Sequence, residues 1–459
     1  MSTTYPIIQL TIGNETLEFS GEKVIEANLI EEVNLISTEI PINAVEFKII
    51  NNDSSFSMFD GETFQLLSER LPVFVYENVD GSNQFLGKFY LEEWENISEY
   101  EFKFRAIDII GVMDATDYDG GFWSSATTLQ DVLSDILNPI DVLFTIDESI
   151  ADVEISGWIP PGNYRQALQQ VCFSARATAS TFGSDRLLIK PINLPSGKYD
   201  WKIRDSEKYL NQSIKLQPLI TSIEIVSHNY TQGTELETIF EKYLDAGSHK
   251  IIFEKPYYDI VVNGPGYIPT LLITEGGDYI VTESGDYIEV GGEYVFGPNC
   301  LYLEMTEGGT VTITGYPWLD SKRSFIFRET GIQKYANKNS LKVEDATMIS
   351  TDNAQIVLEQ MRDYYRQRYI KNITLLPSDV EIGDTVLTGT IYQKNILGTA
   401  QKMDIDLSGG YVAKTDLLGI EPIYVEPVET PARRARTGIS ICGSELLRQN
   451  SFREYDHNL

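Results

Sequence analysis

The sequence predicts an α+β fold that is mostly β. Three observations carry this prediction. Short apolar runs separated by Gly, Asn and Asp turns fill residues 1–115. Aromatic residues make up 11% of the chain, with 26 Tyr and 20 Phe, and such side chains suit pleated, half-buried surfaces. The apolar period changes to helical spacing in only three windows. At 459 residues the chain is too long for one compact core, so several domains are expected.

Residues 1–115 read as consecutive short strands: Ile7–Ile12, Glu46–Ile50, Val73–Tyr76, Phe85–Glu92 and Tyr100–Ile107. Gly13-Asn14, Asn51-Asn52-Asp53, Asp60-Gly61 and Asp80-Gly81 supply the turns. In Glu46-Phe47-Lys48-Ile49 and Glu101-Phe102-Lys103-Phe104-Arg105 charged and apolar residues alternate. A period of two sends one face to a core and the other to solvent. Many short strands with frequent turns predict a barrel or a sandwich.

Residues 116–212 predict a small α+β domain. Leu129, Val132, Leu133, Ile136 and Leu137 recur at helical spacing behind a Thr128/Asp131 capping pair. A second helix opens after Pro160-Pro161-Gly162-Asn163, with Tyr164, Ala167, Leu168, Val171, Cys172 and Ala175 on one stripe. Leu187-Leu188-Ile189 follows as a strand after the turn Gly183-Ser184-Asp185.

Residues 213–335 return to strand signals. Within them, Gly277-Asp278-Tyr279-Ile280 recurs as Gly285-Asp286-Tyr287-Ile288 and loosely as Gly292-Glu293-Tyr294-Val295. This predicts a hairpin insertion over 270–295. The ligand spacing of a calcium loop is missing there. Residues 336–420 predict a helix through Ala354, Val357, Leu358, Met361, Tyr364 or Tyr365 and Arg368, with Ser350, Thr351 and Asp352 as N-caps. Strands at Ile373–Leu376, Thr385–Leu387 and Ala400–Asp406 follow, with turns at Gly383-Asp384 and Gly409-Gly410. Residues 421–459 read as an extended C-terminal arm. It carries the basic cluster Arg433-Arg434-Ala435-Arg436, which would either be solvated or dock on an acidic neighbour.

The net charge is −32, which argues against sequence-reading contacts to nucleic acid phosphates. It serves solubility, or it forms a repulsive wall along which a polyanion slides. The N-terminus lacks a basic segment followed by an apolar run, so no signal peptide is expected, and no stretch is apolar enough to span a membrane. Cys172, Cys300 and Cys442 are far apart, and no disulfide framework or zinc spacing is indicated. Cys172 falls on a helix's apolar face, which marks a buried, inert thiol. His228, His249 and His457 are too dispersed for most hydrolytic metal sites. There is no HExxH, GxSxG or phosphate-loop motif. With 68 Asp and Glu, paired carboxylates are inevitable and say little about glycosidase chemistry. No catalytic, cofactor-binding or metal residues are assigned, and an enzyme is not expected. Gly87, Gly383 and Gly410 read as turn or bulge glycines. Trp94, Trp123 and Trp158 read as core or domain contacts.

Three stretches, in this order, resemble the phage tail baseplate hub family. The first runs from Ile40-Pro41 through Glu46–Asn52 and Leu86–Leu91 to Arg105–Asp108. The second joins Gly157-Trp158-Ile159-Pro160 to Arg165–Cys172. The third joins Ala346–Arg368 to Glu381-Ile382-Gly383-Asp384 and Asp406–Tyr411. The family includes the late-control D-type hubs of contractile tails, and the N-terminal hub region of tail-associated proteins in long-tailed phages is similar. The Gly-Asp-Tyr repeat and the basic arm fall outside the family pattern.

The resemblance implies two tube-like β-barrel domains, over 1–115 and 213–335, with smaller helix-containing domains over 116–212 and 336–420. It implies a homotrimer that adapts a sixfold tail tube to a threefold spike or tip and lines the DNA channel. Implied partners are the tail tube or distal tail protein, the central spike or tip protein, the tape measure protein and baseplate wedge proteins. DNA would be met only in transit, with no stable membrane association. The implied location is the virion tail, after synthesis in the host bacterial cytoplasm. The alternatives are a tail-tip peptidoglycan hydrolase and a host receptor-binding tail protein.

Overall fold

The computed structural model describes residues 4–59, 61–209, 212–265, 296–297, 299–332, 338–376, 380–408, 411–422 and 426–427. The expected hairpin insertion at 270–295, the Gly409-Gly410 turn and nearly all of the C-terminal arm lie outside them.

The first seven strands are β1 (Thr4–Ile12), β2 (Glu15–Ser20), β3 (Val24–Glu32), β4 (Ala44–Ile50), β5 (Pro72–Val79), β6 (Ser82–Asn96) and β7 (Glu101–Ile107). They pair in the order β2-β1-β5-β6-β7-β4-β3. The alternation in β4 and β7 sends Phe47, Ile49, Phe102 and Phe104 into the core. There Phe47 stacks on Phe104 with ring centroids 4.9 Å apart, and Phe56 meets Phe104 edge-on at 5.5 Å. Such pairs add to simple area burial. At the β5–β6 turn, Asp80 and Gly81 both take positive φ, which suits a two-residue hairpin loop. Gly87 sits where the β5–β6 register shifts, so it is a bulge glycine, and an added Cβ would lie 2.9 Å from the Phe89 ring.

The sheet does not stop at β3. That strand pairs antiparallel with the strand Asn395–Asp406, which pairs in turn with Val412–Ile420 and Thr385–Gly389. Beyond these lie Tyr369–Leu375, Ser213–Leu216 and Trp201–Ile203. The result is one 13-stranded sheet. Ile373, Leu375, Met403, Ile405 and Leu417 from the late strands join one continuous core with the phenylalanines of β4 and β7.

Helices α1 (Ile109–Asp114), α2 (Leu129–Leu137) and α3 (Tyr164–Ala175) surround a second core. All five predicted apolar positions of α2 are buried, and the Thr128 hydroxyl accepts the Asp131 N–H at 3.2 Å. Asn163 caps α3 in a reciprocal capping box with Gln166. The strand Leu187–Pro191 pairs with Ala177–Ser180 and Phe144–Ile146.

Between residues 222 and 328 the described strands form sheets of their own. The long strand Gly309–Arg328 pairs with Ser222–Gln232, Glu237–Leu244 and Tyr257–Asn263. Helix α4 (Ala354–Arg366) buries Ala354, Val357, Leu358 and Met361 against Ile223 and Ile225 of that region. Two expectations about α4 are corrected. Arg368 lies beyond the helix, and its Nε donates to the Gln217 carbonyl at 2.9 Å, because the chain turns into the next strand at Gln367. The N-cap is Asn353, with no side-chain cap bond. Ser350 instead accepts the Asp352 N–H at 3.2 Å, closing the turn that precedes the helix.

Candidate interaction surface

The solvent face of the large sheet carries a ladder of ion pairs. Period two puts Glu26, Lys48, Glu46, Lys103 and Arg105 on the side opposite the phenylalanines. Lys48 pairs with Glu26 at 2.6 Å, Lys103 with Glu46 at 3.0 Å, and Arg105 with both Glu46 and Glu92. Past β3 the ladder continues with Lys402–Glu32 at 2.8 Å and Lys414–Asp404 at 3.7 Å. Exposed pairs of this kind contribute little to stability individually. Together they make a polar wall across both parts of the sheet in which each of these cations is paired with a carboxylate.

Two loop tips on this sheet present apolar side chains to solvent. Phe59, between β4 and β5, is 84% exposed beside Met58. Ile391 and Tyr392, on the hairpin joining Thr385–Gly389 to Asn395–Asp406, are 66% and 71% exposed.

Two charges stand at core-facing positions. Glu31 on β3 is fully buried, and burial first and Asp108 second hold its carboxyl well above the usual range. Asp108 caps α1 by accepting the Gly111 N–H at 3.0 Å and takes a 3.2 Å bond from the Thr181 hydroxyl. Its own pKa is pushed up to about 7, chiefly by burial. On the other part of the sheet, Lys371 is 0% exposed beside buried Lys208. Both ammonium groups donate to the Thr388 hydroxyl and the Gly389 carbonyl, and Lys208 also pairs with Asp205 at 2.8 Å. Burial and the Lys208 charge push Lys371 down to about 7.

The chemistry-bearing residues noted in the sequence are dispersed. Cys172 is buried in α3, and burial pushes its thiol up to about 12. Cys300 is buried at the end of another sheet. His228 lies with Nδ1 2.8 Å from Asp320 and Nε2 3.1 Å from the Glu344 carbonyl. Its backbone N–H bonds the Ile349 carbonyl at 2.7 Å, so the residue ties the strand Ser222–Gln232 to the segment before α4. His249 meets the Asp245 carbonyl at 2.8 Å. Among the described residues no group of three His, Cys, Asp or Glu is placed to hold a metal, and no helix is long and apolar enough to cross a membrane.

The tryptophans act between elements. Trp94 packs on the first core. Trp123 donates to Asp135 at 3.1 Å. Trp158 donates to Asn299 at 2.6 Å, and Asn299 donates to the Ile159 carbonyl at 3.0 Å. Asn299, which sequence reading passed over, is fully buried and with Lys250–Asp119 at 2.5 Å joins the helical unit to the strands at 247–252 and 300–305. Gly383 takes φ +86° in the turn expected there.

No family model and no curated protein sequence matches the chain. Solved structures similar to it include tail proteins and a component of a type VI secretion system. One is prophage tail protein gp18 from Listeria monocytogenes EGD-e, with TM-score 0.47, 10% identity, 91% of this chain covered and 95% of that one. Another is a tail protein from Neisseria meningitidis MC58, with TM-score 0.48, 10% identity and coverage of 91% and 97%. A third is the 43 kDa tail protein of prophage MuSo2 from Shewanella oneidensis, with TM-score 0.47, 8% identity and coverage of 90% and 98%.

Proposed function

We propose that this chain is a structural hub of a phage or phage-like tail baseplate or tip. It acts as a homotrimer that adapts a sixfold tube to a threefold spike and surrounds the channel through which DNA passes. One observation supports this reading most. A single sheet and a single core unite β1–β7 with a second set of strands from 369–420. In this reading the strands at 369–420, rather than residues 213–335, build the second tube-like unit of each chain, and three chains offer six. That repeat converts a threefold axis into pseudo-sixfold contacts by geometry alone.

In this reading the ion-pair ladder faces the channel. Its charges are paired, so a passing polyanion finds few uncompensated cations to bind. The apolar tips at Phe59 and Ile391-Tyr392 contact neighbouring subunits. Tail tube or distal tail protein lies on one face of the ring, and spike or tip protein on the other. Tape measure and wedge proteins are the remaining partners in the virion, and the chain itself is not a catalyst.

Sedimentation of the purified chain, alone and with its tail partners, tests the proposal. The expected product is a trimer. A Phe59→Ser/Tyr392→Ser variant that assembles as well as the unaltered chain would remove the tips from the reading. Release of soluble fragments from peptidoglycan by the pure protein would overturn the non-catalytic part.

A further inference from the structure

A carboxyl in the first core stands without a partner. Glu31 on β3 is 0% exposed, and among the described residues neither of its carboxyl oxygens has a hydrogen-bond partner. A second buried carboxyl shares its row across the sheet. Ile30 pairs with Ala44 and Ala44 with Ile107, so the next row sets Asn43 between Glu31 and Asp108. Two bonds fix that row. The Asp108 N–H donates to the Asn43 carbonyl at 3.0 Å, and the Glu32 N–H donates to Asn43 Oδ1 at 2.9 Å. Asp108 is also 0% exposed.

The row joins two units. Strands β3 and β7 belong to the large sheet, whereas the Asp108 side chain holds α1 through the Gly111 N–H and the 177–182 segment through the Thr181 hydroxyl. The surrounding elements offer the pair no cation. Met403 lies opposite Glu31 on the neighbouring strand. Glu32 pairs with Lys402, and Arg105 with Glu46, on the solvent face. On α1 the remaining acid, Asp114, pairs with Arg165. The charges lining the groove beside Val33 are Asp147, Lys190, Asp200, Glu381 and Asp384. Of all these groups, Asp108 is the one whose charge acts on Glu31. Burial penalises each ionised carboxyl, and each adds to the cost of ionising the other. Backbone pairing keeps the strands of the row together. Admitting water from the helical side therefore relieves that cost with the fewest bonds broken.

We infer that Glu31 and Asp108 form a proton-dependent latch that holds α1 and the 177–182 segment against the large sheet. With Glu31 neutral the latch is closed. With both carboxyls ionised, water enters and these segments detach locally. The inference does not depend on the hub reading.

The sign follows from burial. Opening returns each acid to the free carboxyl range near about 4, so the closed form is favoured at low pH and weakens as pH rises from there toward the buried values. The buried value is about 7 for Asp108 and well above the usual range for Glu31. Hydrogen exchange of the full chain between about pH 5 and about pH 7 tests the latch, with protection factors dividing out the intrinsic effect of pH. Protection of residues 108–114 and 177–182 should stay below that of β4 and β7 and fall by up to about ten-fold per pH unit for each carboxyl exposed. Glu31→Gln keeps the shape and cannot ionise, so the fall should shrink by at least about ten-fold over the interval. Asp108→Asn, which keeps a capping residue, should shrink it too and serves if Glu31→Gln does not fold. Protection of both segments that ignores pH would overturn the inference, as would an unchanged fall in the variants. Protection equal to that of β4 and β7 at every pH would overturn it as well, by assigning the effect to global unfolding.

Discussion

Glu31 and Lys371 each occupy a position where period two asks for an apolar residue. Such a site favours the neutral form, and that makes stability depend on pH. For Lys371 the folded pKa of about 7 lies below the free value. The unfolded chain therefore binds more protons between pH 7 and about 10.5, and stability rises with pH across that window. Lys371→Met should stabilise the protein by about 1–4 kcal/mol at pH 7 and flatten that rise. Lys208 continues to serve Thr388 and Gly389, so no acceptor is orphaned. Chemical denaturation at several pH values checks both effects. Asp108 works in the opposite sense. Its folded pKa, about 7, is raised, so its contribution is present below pH 4 and is lost as pH climbs to 7. Asp108→Asn keeps a residue able to cap α1 and should weaken the fall in stability between pH 4 and 7.

At the scale of elements, caps and tips make separable predictions. Asn163→Ala removes one half of the α3 capping box and should cost about 1 kcal/mol, read as a lower denaturation midpoint. Phe59→Ser touches no core contact and should shift stability by no more than about 0.5 kcal/mol while weakening subunit association, read by sedimentation. Helices and hairpins were legible in the sequence where local chemistry decides them. The Leu129–Leu137 stripe, the Asn163 cap and the Asp80-Gly81 turn each depend on neighbours a few residues away. Strand β3 was not legible, because Glu31 sits among Ala27, Leu29 and Val33 on the inward face and breaks the apolar alternation. Lys371 hid the start of its strand in the same way, so the expected strand began at Ile373 rather than Tyr369. Helix α1 is only six residues long, too short for periodicity to reveal. Asn299 carried no signal, since a lone buried Asn reads as a turn residue until its partners Trp158 and Ile159 are in place.

For the whole molecule, the decisive feature is pairing between distant parts of the chain. Strand β3 meets Asn395–Asp406 in a register that sets Leu29 opposite Ile405, and nothing local specifies such a contact. The resemblance implied tube-like units over 1–115 and 213–335; the large sheet and its core join β1–β7 to strands at 201–216 and 369–420, and the described strands between 222 and 328 form sheets of their own. The acidity has also changed meaning. On the sheet's solvent face the cations Lys48, Lys103, Arg105, Lys402 and Lys414 are each paired with a carboxylate, so the wall proposed for the channel offers a polyanion paired cations beside further carboxylates. Copy number in the assembled particle tests the central claim most directly. Electron microscopy of intact tails carrying this chain should show three copies around the axis, presenting six tube-like units to the tube above. Six copies in a ring, or a single copy at the axis, would contradict the account.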